Sequence, residues 1–197
     1  MVKIPMSNEA RISLLARVAR SPSAQGIAFS PDHPLSILAL AAASFGLRPS
    51  ADATVPTGFD PIAVALFEAI VEGAYLVANA DGVFDGGERR TFERVVVAAC
   101  GDQVARDQIE ALLADLADQL EEDGAELRIA AVTKAVTKKE HAHEVLRIAA
   151  LLAAATNDVS PTERDMLLKL ARGCGLLESD VDAALEEVRK TLRGAVT

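Results

Sequence analysis

From Asp60 onward, apolar residues return every third and fourth position, the spacing of one helix face. Ile62, Ala65, Leu66, Ala69, Ile70, Gly73 and Val77 form the first such stripe, and Asp60-Pro61 supplies an N-cap with proline in the first helical turn. Phe92, Val95, Val96 and Ala99 mark the next helix, and Ile109, Leu112, Leu113, Leu116 and Leu120 a third. Glu121-Glu122-Asp123-Gly124 stops that helix, and Leu127 to Val136 forms a further segment. Helices over about Glu140–Thr156, Pro161–Ala171 and Ser179–Leu192 complete the pattern. No stretch alternates with period two for long enough to predict a strand. The chain is therefore expected to be all-α.

Two stretches between these helices resemble each other. Ala80-Asp81-Gly82-Val83-Phe84-Asp85-Gly86-Gly87-Glu88 has a weaker echo in Ala155-Thr156-Asn157-Asp158-Val159-Ser160-Pro161-Thr162-Glu163. Each follows an Ala/Leu/Val-rich run and leads to a helix ending near a Cys-Gly pair, Cys100-Gly101 and Cys174-Gly175. The pattern predicts an internal duplication of a helix–turn–helix unit. Residues 1–58 read differently, as an N-terminal extension of one or two short helices. One starts at Ser7 and runs to Arg20, and an apolar run extends from Leu35 to Phe45. Pro49 to Gly58 reads as a linker ahead of the helical domain at 59–197. The extension either docks on the main domain or mediates self-association.

Composition narrows the function. A net charge of −9 argues against nucleic acid or an anionic membrane as partner, since either needs a basic face. It is compatible with a cation or a basic protein partner, but a solvated acidic surface is the simpler reading. Leu35–Phe45 is too short to span a bilayer and lacks the layout of a signal peptide. Two cysteines at matching positions make no disulfide framework, so a reduced, cytoplasmic setting is expected.

Asp85-x-x-Glu88 and Ser160-x-x-Glu163 both fit a capping box, which would account for both glutamates structurally. Asp81 adds a third carboxylate to the first turn, and Gly82 beside it is expected to take positive φ. Three carboxylates in one tight turn repel, and a hard cation among them would relieve this. The turn is not an EF-hand: Val83 and Phe92 stand at loop positions three and twelve, where oxygen ligands are required. An ion site would need acids from elsewhere, the second turn being one source, although Thr156 stands there in place of the aspartate.

The first motif, with Val159-Ser160-Pro161-Thr162-Glu163 and Leu176-Leu177-Glu178-Ser179-Asp180-Val181 in the second half, resembles the TerB-like (tellurite resistance protein TerB) family over roughly residues 59–197. The resemblance implies an all-helical bundle with two pseudo-symmetric repeats and a role in stress or tellurite resistance, without established catalysis. It also implies a divalent-cation site (Ca²⁺, Mg²⁺ or Zn²⁺) at Asp81, Asp85, Glu88 and Glu163. Such domains also occur fused to J-domain co-chaperones, so a protein-interaction scaffold without metal is the alternative.

Other constellations carry less. His141 and His143, two apart on a helix, face different ways and read as solvated surface histidines. Lys138, Lys139 and Glu140 with Glu144 and Arg147 read as a mixed-charge helix face. The acidic stretch from Gln108 to Glu126 reads as a solvated face. Cys100 and Cys174 lack neighbours for nucleophilic chemistry or zinc, so no catalytic set is expected.

Overall fold

The computed structural model describes residues 7–22, 36–47, 59–82, 84–155 and 159–194. Among these, eight α-helices and no strand are formed: α1 (Asn8–Arg20), α2 (Ile37–Gly46), α3 (Pro61–Ala78), α4 (Gly86–Cys100), α5 (Arg106–Ala135), α6 (Lys139–Ala153), α7 (Pro161–Gly173) and α8 (Glu178–Gly194). A short 3₁₀ turn, Gly101–Gln103, links α4 to α5. The all-α architecture is as the periodicity predicts. The Pro49–Gly58 linker and the Thr156–Asp158 part of the second turn lie outside the described residues.

Local side chains start most helices. Ser7 accepts from the Ala10 amide at 3.2 Å, Ser36 from Ala39 at 3.2 Å and Asp60 from Ile62 at 2.9 Å. Each satisfies an amide that has no partner within its own helix.

Helix α3 is the axis of the bundle. By length and hydropathy it could cross a membrane, yet α2, α5, α6 and α7 cover it on several sides. A helix apolar nearly all round is what such a central position selects. Phe67, Ile70, Ala74 and Val77 are wholly buried. Gly73 lets α6 come close: a Cβ there would sit 2.7 Å from Val145 Cγ1.

The stop expected at Gly124 is present as a kink. Gly124 takes φ 76° and ψ 163°, and the chain resumes helical geometry immediately, so α5 spans 30 residues in two segments.

One expectation is overturned. Glu144 and Arg147, read as part of a solvated helix face, are 2% and 3% exposed. Arg147 Nε and Nη2 donate to the two Glu144 oxygens at 2.9 and 3.0 Å, and Nη1 and Nη2 donate to the carbonyls of Val18 and Ala19 at 3.0 and 3.1 Å. Glu144 Oε1 also accepts from the Leu38 amide at 3.1 Å. The cause is tertiary. Helix α6 packs on α3 and also on α1 and α2, whose facing ends carry unpaired carbonyls and amides. A cation at the last turn of α1 and a carboxylate at the first turn of α2 also suit the two helix dipoles. His141 and His143, near the start of α6, are partly exposed.

Helices α1 and α2 thus share one apolar core with the helices that follow. Ile12, Leu15, Leu38 and Phe45 belong to it, and the Phe45 ring lies 4.5 Å from that of Phe67. An Arg94–Glu9 ion pair joins α4 to α1 at the surface.

Candidate functional site

The α3–α4 turn is built by its own residues. Gly82 takes φ 76°, as expected, and turns the chain away from α3. Asp85 then caps α4, its Oδ1 accepting from the amides of Gly87 at 2.6 Å and Glu88 at 2.9 Å. Glu88 Oε2 reaches back to accept from the Asp85 amide at 3.3 Å. These backbone donors, Glu88 first, hold the Asp85 carboxyl below its ordinary range.

The α6–α7 turn repeats the device. Ser160 Oγ accepts from the Glu163 amide at 3.2 Å, and Glu163 Oε2 accepts from the Ser160 amide at 2.7 Å. Pro161 occupies the first helical turn, where no amide is needed. Both sequence-predicted capping boxes are formed.

The two turns meet. Glu88 and Glu163, both half-buried, line a single cleft with Ala78, Phe84, Thr91, Phe92, Leu152 and Ala155. Behind it, Tyr75, Phe84 and Phe92 pack edge to face, with ring centroids 5.6 to 6.2 Å apart. Thr91 Oγ1 donates to the Gly87 carbonyl at 3.0 Å. Burial pushes the Tyr75 phenol above its ordinary pKa.

The four acids singled out by the sequence therefore divide. Glu88 and Glu163 come together, while Asp81 and Asp85 are exposed and are not part of the cleft lining. Among the described residues no three His, Cys, Asp or Glu side chains gather closely enough to hold a metal ion. One oxygen of each glutamate and Oδ1 of Asp85 are already engaged by backbone amides.

Neither cysteine is an activated thiol. Burial pushes the Cys100 thiol up to about 12 and raises that of Cys174, so both stay protonated near neutrality. Burial also lowers the pKa of His141. Sequence reasoning placed Phe92 in a buried stripe, but not the cleft that Phe84, Thr91 and Phe92 help to wall. Its only signal was the hydrophobic position before Asp85, in both turns.

An all-helical bundle whose two helix–cap–helix turns open on one shared acidic cleft defines the class of protein. The family model of the tellurite resistance protein TerB matches residues 67–186, more than half of the chain, and the chain belongs to that family. No curated protein and no solved structure matches it.

Proposed function

We propose that this chain is a non-catalytic component of a tellurite-resistance-associated stress system, acting as a helical protein-interaction module built from two copies of one helix–cap–helix unit. The observation that carries the reading is the employment of the acids at both turns as caps, beside thiols that burial holds protonated. A cytoplasmic setting belongs to the same reading, supported by two unpaired cysteines.

Incubation of the purified protein with tellurite and a thiol reductant tests it. The expected result is no consumption of tellurite above the buffer rate, with survival of a tellurite-challenged host still dependent on the gene. Catalytic turnover would overturn the reading.

A second reading is favoured by the convergence of Glu88 and Glu163 on one cleft. There the two glutamates would seat a divalent cation, Ca²⁺, Mg²⁺ or Zn²⁺, and Asp81 and Asp85 would add only long-range charge. Such an ion would supply charge neutralisation between the turns. Thermal melts with each cation decide it. At 100 times its dissociation constant a ligand stabilises the fold by about 2.7 kcal/mol. Glu88→Gln with Glu163→Gln keeps both capping boxes, since glutamine serves that position too, and should remove the shift.

A further inference from the structure

We propose that the cleft between α4 and α7 receives the ammonium head of a lysine presented by a partner protein. The proposal deepens the interaction-module reading and rests on it.

Size comes first. The cleft holds about 20 Å³, enough for one water-sized group. An ammonium is of that size, while a planar guanidinium with five donors is larger. Acceptor chemistry agrees. A lysine head has three donors and no acceptor, and the lining offers three oxygen-bearing side chains, Glu88, Glu163 and Thr91. The capping bonds use Oε2 of each glutamate, leaving Oε1 outside the box. The Thr91 hydroxyl spends its proton on the Gly87 carbonyl and keeps its lone pairs.

The rest of the wall suits a hydrocarbon stem. Ala78, Phe84, Phe92, Leu152 and Ala155 are apolar, and a lysine buries its methylenes along such surface while its head stays solvated or paired. Aromatic rings add attraction for a cation. A Ca²⁺ or Mg²⁺ ion is served worse, because it requires six or more oxygens and the lining carries only three oxygen-bearing side chains. Two glutamates facing one small cleft repel, and a single positive charge relieves both. The net charge of −9 favours approach of a basic partner over the whole surface.

Backbone-amide NMR on the full-length chain tests the proposal with three blocked tripeptides, Gly-Lys-Gly, Gly-Arg-Gly and Gly-norleucine-Gly, and separately with CaCl₂ and MgCl₂. The lysine peptide should shift the amides of Glu88, Thr91, Phe92 and Glu163 saturably. The arginine peptide should bind more weakly and the norleucine peptide should leave those amides unmoved. Glu88→Gln with Glu163→Gln should weaken lysine binding about tenfold or more, with an unchanged thermal midpoint as evidence that the caps persist. Thr91→Val should weaken it further.

Equal binding of the norleucine peptide overturns the proposal in favour of a merely apolar groove. Shifts from the divalent ions without any from lysine overturn it in favour of a cation seat. Lysine binding that survives the double glutamine variant places the contact elsewhere and also overturns it. Any of these leaves the interaction-module reading standing if tellurite is not turned over, whereas turnover removes that reading whatever the peptides do.

Discussion

Arg147 sits in the core and donates four hydrogen bonds, two to the carboxylate of its neighbour Glu144 and two to carbonyls at the end of α1. Removing one member of a buried pair strands the other charge, which costs about 3–5 kcal/mol. Arg147→Met is therefore expected to lower stability by about that amount in urea unfolding, and Glu144→Gln with Arg147→Met by clearly less. Equal losses would mean that the pair is not what matters. Asp85 acts at the surface and through pH. Its folded-state carboxyl lies below its ordinary range, so its contribution is fully present above the unfolded-state value. That contribution disappears as pH falls through the lower folded-state value. Asn caps as well as Asp but does not titrate, so Asp85→Asn should melt more evenly than wild type below about pH 4. Parallel melting curves from pH 7 to pH 2 would contradict this.

Among elements, the α3–α6 crossing depends on a missing side chain. A Cβ on Gly73 would meet Val145, which is short and branched and cannot swing aside. Alanine would gain up to about 1 kcal/mol in helix propensity and lose about 1–3 kcal/mol to overpacking. Gly73→Ala should thus be net destabilising, and Val145→Ala in the same chain should recover part of the loss in denaturant titration. A stabilised single variant would show that the helices move apart freely. Helix ends were the most legible feature of the sequence. The caps at Ser7, Asp60, Asp85 and Ser160 and the positive φ of Gly82 follow from side-chain chemistry within a few residues. The stop at Gly124 was equally visible, but its form was not. Whether a glycine ends a helix in a loop or a kink depends on whether the next segment packs in line.

For the molecule as a whole, docking of α1 and α2, one of the two alternatives left open by the sequence, makes a large contribution. The family match begins at residue 67, yet Ile12, Leu14, Leu15, Leu38 and Phe45 lie in the common core ahead of it. Each such side chain is worth roughly 1.5–3 kcal/mol of burial, so together they rival the 5–15 kcal/mol typical of a whole domain. Deletion of residues 1–58 also strips Arg147 and Glu144 of their backbone partners. The truncated chain is expected to lose its cooperative thermal transition and to bind a hydrophobic dye. A sharp melt near the full-length midpoint would make the first two helices accessory.

The sequence alone settled what is local: helical periodicity, helix caps, and two turns each carrying a capping glutamate. These depend on neighbours three or four residues away, which a linear pattern displays. Tertiary structure decided which charges are buried and which acids meet. Glu144 and Arg147 look like any surface pair until α1 and α2 cover them. Glu88 and Glu163, 75 positions apart in the chain, share a cleft only because α3 and α6 pack together and bring their following turns side by side. Asp81 and Asp85, acids of the same turn, are exposed and outside its lining, and Asp85 Oδ1 is engaged by the first amides of α4.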